Sequence, residues 1–133
     1  MGQFSPPDKQ FFSILGNAVK MEALQFATNA ALPAANGWAN NLDSLLQPYI
    51  DGTEEYDSIL VVGFTDNTGS KKNNLRLSAK RAANIAAYLT SHGIPENRIH
   101  IAALGEAYPS ASNNTREGRE SNRRVEINFL KSS

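Results

Sequence analysis

Residues 63–81 read GFTDNTGSKKNNLRLSAKR and follow directly on the apolar run Ile59-Leu60-Val61-Val62. An apolar run that gives way to small and polar residues, and then to a long segment of Leu, Ala, Lys and Arg, is the pattern of a strand, a loop and a helix. Asp66 stands near the front of this stretch and Arg81 at its back. A strand end that delivers a carboxylate and a helix that returns a guanidinium make a pocket suited to a ligand carrying both an amine and an acid.

The helix is expected over about residues 73–91. At about 100° of rotation per residue, Leu75, Ala79, Ala82, Ala86 and Leu89 gather on one side, with Lys80, Asn84 and Ala87 opposite. Asn74, Ser78, Arg81 and Ile85 form a separate stripe. Arg81 lies about 120° from the centre of the apolar face, which predicts a position at the rim of the core, within reach of a pocket. His92-Gly93-Ile94-Pro95 stops the helix, with Gly at its end and Pro just after.

Working outward, Ser58 to Phe64 is mostly apolar without strict alternation, as in a strand central to a sheet or covered on both faces. Residues 21–26 read as a strand with Glu22 and Gln25 as polar positions. Between these, Trp38, Leu42, Leu45, Leu46 and Tyr49 recur at steps of three and four, an amphipathic helix within residues 33–50 whose last turn Pro48 bends or ends. Residues 98–103 alternate, Ile99 and Ile101 against His100 and Ala102, as a half-buried strand. Residues 105–114 form a loop, where Asn114 followed by Glu117 resembles an N-cap with its partner. Val125, Ile127 and Phe129 then alternate with Glu126 and Asn128 in a last strand over residues 124–130. Near the N-terminus, Ser5-Pro6-Pro7-Asp8 is a turn or helix start, and Phe11, Phe12, Ile14 and Leu15 an apolar segment that fits either helix or strand. This order predicts an α+β fold, an α/β sandwich with a mixed sheet and helices packed on one face. The expected organisation is an N-terminal extension or linker remnant (1–20), one domain (21–130) and a short tail (131–133).

A chain of 133 residues fits one domain, with a core covering roughly two thirds of its unfolded surface. Thirteen basic residues balance thirteen acidic ones, so no broad field draws the chain to nucleic acid or anionic lipid, and a charged ligand must be bound locally. The absence of cysteine removes thiol nucleophiles, disulfides and zinc-thiolate sites. The apolar runs are short and the N-terminus lacks the pattern of a signal peptide, so any export signal or membrane anchor is expected outside this sequence. His92 and His100 have no metal-ligand partner at useful spacing, and Trp38 and Tyr49 read as core. TDNTGS faintly resembles the DKTGT loop of phosphoryl-transfer enzymes, but Asn67 replaces its Lys. No Ser-His-Asp set or pair of catalytic carboxylates appears, so no catalytic residue, metal site or cofactor is assigned.

Taken in order, GFTDNTGS, NNLRLSAKRA, YLTSHGIPENRI, LGEAYP and NNTREGRESNRRVEI resemble the OmpA-like (OmpA/MotB C-terminal) peptidoglycan-binding domain over roughly residues 21–130. FATNAALP is similar to the family's first strand and the start of its first helix. The resemblance implies non-covalent binding of bacterial peptidoglycan through the diaminopimelate of the stem peptide. Asp66 matches the family Asp that pairs with the ammonium at the far end of diaminopimelate, and Arg81 the Arg that pairs with the carboxylate on the same carbon. Arg's planar fork suits a carboxylate in a way that Lys does not. Asn74 matches a further ligand-contacting position, though it also fits a helix N-cap, and Arg123 fits both a basic ligand contact and a solvated face. Backbone amides of residues 66–69, Thr68 among them, add donors. Arg116, Arg119 and Arg124, interleaved with Glu117, Glu120 and Glu126, read as solvated. Phe64 stands where the family commonly has His, a mainly structural departure that alters pocket polarity. The implied setting is the periplasm of a Gram-negative envelope, with partners in an envelope complex and membrane attachment only through a fused or missing anchor. The alternative is a protein-interaction module of a secretion or motility complex without wall binding.

Overall fold

The computed structural model describes residues 4–5 and 18–131. The turn at residues 6–8 and the apolar segment at residues 11–15 lie outside them. The elements are β1 (Phe4–Ser5), β2 (Ala18–Gln25), α1 (Trp38–Ile50), β3 (Ser58–Phe64), α2 (Lys71–Ser91), a 3-10 turn (Glu96–Arg98), β4 (Ile99–Gly105), α3 (Arg116–Asn122) and β5 (Arg124–Leu130). The strands form one mixed sheet in the order β1-β4-β3-β5-β2. β4 lies parallel to β1 and to β3, whereas β5 runs antiparallel to both β3 and β2.

β3 is central because its side chains are apolar on both faces. Ile59 and Val61 join a cluster with Leu42, Leu46 and Tyr49 of α1 and Ala82, Ile85, Ala86 and Leu89 of α2. Leu60, Val62 and Phe64 join Ala102, Leu104 and Leu130 on the opposite face. Both long helices therefore cover one face of the sheet, the α+β sandwich that the order of elements predicts.

The ends of α2 follow local chemistry. Ser70 Oγ accepts from Asn73 N–H at 3.1 Å and caps the first turn. At the other end Gly93 takes φ 109°, its N–H donates to Thr90 O, and Ile94 N–H donates to Leu89 O. This is a Schellman closure, with buried Ile94 as its hydrophobic contact. α1 begins at Trp38, after left-handed Gly37, and runs through Pro48 to Ile50 rather than stopping early. α3 is capped by Thr115, whose Oγ1 accepts from Gly118 N–H at 2.9 Å, and not by Asn114. The strand expected at residues 21–26 begins at Ala18, and the one expected at residues 98–103 runs from Ile99 to Gly105.

The face of α2 differs from the helical arithmetic. Leu75 is exposed and Ala79 only half-buried, whereas Asn74, Ser78 and Arg81 are buried together with Ala82, Ile85, Ala86 and Leu89. The first half of α2 lies against backbone rather than apolar side chains. A Cβ on Gly63 would come within 2.0 Å of Ser78 O, and one on Gly105 within 3.3 Å of the Leu75 backbone. Ser78 Oγ accepts from Gly105 N–H at 2.9 Å. At so close an approach small and hydrogen-bonding residues fit and leucine does not, so Leu75 turns outward.

Candidate peptidoglycan-binding site

The end of β3 delivers Asp66, which is 5 % exposed. One carboxylate oxygen accepts from Thr68 N–H at 2.9 Å, and the other from Arg123 Nη1 at 2.9 Å. The Asp66 carbonyl accepts from Asn74 Nδ2 at 3.3 Å, so Asn74 is a buried brace from α2 and not its cap. Burial pushes the Asp66 carboxyl up, but the Thr68 and Arg123 hydrogen bonds and the Arg123 charge outweigh it and hold the group below its ordinary value.

Arg81 is fully buried, not at the rim. Its Nε donates to Ala30 O at 2.8 Å, Nη1 to Phe64 O at 3.1 Å and Nη2 to Ala27 O at 3.0 Å. The guanidinium also lies over the Phe26 ring, 5.0 Å from its centroid. One side chain thereby ties the end of β3 to the loop after β2. Three residues on, Asn84 Nδ2 donates to Ala31 O at 2.9 Å, so Asn84 faces this loop rather than solvent. Burial, and then the like charge of Arg123, lower the Arg81 pKa to about 10 against the opposing pull of Asp66, which leaves it charged at neutral pH. Each terminal nitrogen retains one further N–H.

Arg123 completes the arrangement from the segment between α3 and β5. While Nη1 grips Asp66, Nε donates to Phe26 O at 2.8 Å. The site thus gathers two guanidiniums around one carboxylate, walled by the 27–31 loop. Such a cluster can accept the carboxylate and the ammonium of a zwitterion in alternation. The five residues expected from the sequence divide accordingly. Asp66, Thr68 and Arg123 are joined directly, Asn74 braces the Asp66 backbone, and Arg81 stands behind as a buried cation.

The sequence reading missed Phe26, Ala27, Ala30 and Asn84. Three of these act through backbone carbonyls, which carry no residue signature, while the short step from Arg81 to Asn84 was a usable signal. Arg124 is not solvated: it lies 3.7 Å over the Phe64 ring and pairs with Glu126 at 2.8 Å. The Phe64 ring belongs to the cluster on the face away from the helices, and only its carbonyl meets Arg81. Arg116 does pair with Glu120 at the surface, and half-buried Arg119 donates to Asn113 O. His92 and His100 are exposed, and among the described residues no three His, Asp or Glu side chains are grouped to hold a metal ion.

Known proteins resemble this chain in sequence and in fold. The chain is 47 % identical over 76 residues to outer membrane protein A of Bordetella avium, covering 57 % of this chain and 39 % of that protein. It is 49 % identical over 69 residues to the peptidoglycan-binding protein ArfA of Mycobacterium tuberculosis, covering 52 % of this chain and 21 % of that protein. The chain thus spans well under half the length of these relatives. The C-terminal domain of Helicobacter pylori MotB (residues 125–256) superposes with a TM-score of 0.70 at 26 % identity, over 84 % of this chain and 85 % of that one. Residues 39–123, more than half of the chain, match the sequence profile of the OmpA family, and the chain belongs to that family.

Proposed function

We propose that this chain binds bacterial peptidoglycan non-covalently through the diaminopimelate of the stem peptide, and so anchors an envelope protein to the cell wall. The observation that carries this reading is the buried Asp66 held between Arg123 and the Thr68 amide, with Arg81 behind it. The far end of diaminopimelate bears an ammonium and a carboxylate on one carbon. The ammonium takes Asp66. The carboxylate takes the place of Asp66 on Arg123, with the buried Arg81 charge behind it, giving an alternating row of charges. The Thr68 amide keeps the Asp66 side chain turned toward this row, and Asn74 holds the Asp66 backbone.

The relatives support the setting. One is named for peptidoglycan binding, another is an outer membrane protein, and a third is a sodium-type flagellar protein, MotY of Vibrio parahaemolyticus. We place the chain in the periplasm, as a binding module that performs no reaction and whose partners, besides the wall, belong to an envelope complex. No helix among the described residues is long and apolar enough to cross a membrane.

The test is calorimetric titration with a diaminopimelate-containing muropeptide. Charge-assisted hydrogen bonds contribute about 1.5–3 kcal/mol each, so Asp66→Ala and Arg123→Ala should each weaken binding roughly ten- to a hundredfold. Arg81→Ala should weaken it at least as much, because it removes both a charge and a wall. Absence of binding by the unaltered chain would favour an interaction module without wall affinity.

A further inference from the structure

Among the described residues, β2 is an edge of the sheet, and no other strand pairs with its outer side. At its C-terminal end this side is already closed, because Ala34 N–H donates to Gln25 O at 2.8 Å. That bond also shows which residues point outward. If the Gln25 carbonyl faces away from β5, the two-residue period of a strand turns the backbone groups of Ala23 and Met21 the same way. Val19 to Ala23 are all exposed, with Val19 and Met21 at 57 % and 52 %. A bulge between Ala18 and Lys20 bounds the stretch on the other side.

Natural edges are commonly protected by charge that repels a second strand. Here Lys20 and Glu22 flank Met21 on one face of the sheet, opposite Phe129 and Ile127 of β5. In an antiparallel pair of two such edges centred on Met21, Lys20 of each copy faces Glu22 of the other. The charges that would repel a strand of one sign attract a second copy of this one.

The geometry points to β2 pairing with β2 of a second copy of this chain, antiparallel about Met21, so that two sheets join edge to edge in a two-fold dimer. The two Met21 residues exchange backbone hydrogen bonds, and their exposed side chains cover one another. This inference is independent of the wall-binding reading.

The chain has no cysteine, so single cysteines report the register. Directly opposed, hydrogen-bonded residues have Cα atoms about 5.5 Å apart, within the range a disulfide spans. Under mild oxidation Met21→Cys should form a disulfide-linked dimer. Val19→Cys should not, because its two copies are about four residues, or roughly 13 Å, out of step. In sedimentation equilibrium Glu22→Lys, which sets lysines opposite lysines, should weaken self-association about tenfold. The double exchange Lys20→Glu with Glu22→Lys should restore it. The positions are exposed, so at concentrations where the chain is monomeric the melting temperature should not change. A Met21→Cys chain that links no faster than Val19→Cys, or a double exchange that fails to restore the dimer, overturns the proposal. So does a chain that stays monomeric throughout.

Discussion

Arg123 holds Asp66 and Phe26 at once: Nη1 lies 2.9 Å from Asp66 Oδ2 and Nε lies 2.8 Å from the Phe26 carbonyl. The end of β2, the end of β3 and the start of β5 are thereby fixed by one planar group. Both charges are largely withdrawn from water, the side chains being 13 % and 7 % exposed. Removing one partner of such a pair strands the other. Asp66→Ala should therefore destabilise the fold by about 3 kcal/mol, measurable by urea denaturation. A loss below about 0.5 kcal/mol would mean that the pair is effectively solvated.

The same carboxylate predicts an acid response. Burial raises the Asp66 pKa, but the hydrogen bonds from Thr68 and Arg123 prevail and the folded value lies below the ordinary one. A group lowered in the folded state contributes stability that is fully present above its unfolded value, about 3.9, and is lost as pH falls through the folded value. Melting temperature should thus drop on acidification below about pH 4, with a shallower drop in Asp66→Asn. Parallel curves for the two proteins would contradict this account of Asp66.

Arg81 should not tolerate lysine. Its three nitrogens satisfy the carbonyls of Ala27, Ala30 and Phe64, spaced to suit a planar fork. A single ammonium cannot reach all three. Arg81→Lys should destabilise the chain by about 3 kcal/mol and speed amide exchange in the 27–31 loop. Unchanged exchange there would show that the loop is held by other contacts.

Gly63 tests the close approach of α2 to β3. A Cβ at this position would sit 2.0 Å from the Ser78 carbonyl, which is backbone and cannot rotate away. Gly63→Ala should cost at least about 1–3 kcal/mol, whereas Gly52→Ala meets no neighbouring atom and suffers only from its φ of 84°. Equal and small losses at both glycines would argue against the tight contact.

Much of this architecture is legible in the sequence because it is local. Ser58 to Phe64 and Arg124 to Leu130 match their strands, and Asp66 follows β3 as the loop chemistry implies. What the sequence hides is long-range and backbone-mediated. The acceptors of Arg81 lie 51 and 54 residues away at alanines, whose carbonyls any residue would supply. Helical periodicity places Leu75 inward because it weighs side-chain hydrophobicity alone. The approach of Gly63 and Gly105 to α2 reverses that choice, and those two glycines were the only local hint. Arg124 reads as solvated for a similar reason, since its partner Phe64 comes from a strand 60 residues earlier.

The central claim is that a carboxylate and an ammonium on one carbon are recognised together by Asp66 and the guanidinium pair. It is tested most directly by titrating the chain with two stem peptides identical except that one carries diaminopimelate and the other lysine, which keeps the ammonium and lacks the carboxylate. The account predicts binding of the diaminopimelate peptide and roughly ten- to a hundredfold weaker binding of the lysine peptide, the loss of one or two charge-assisted hydrogen bonds. Equal affinity for the two peptides would contradict it.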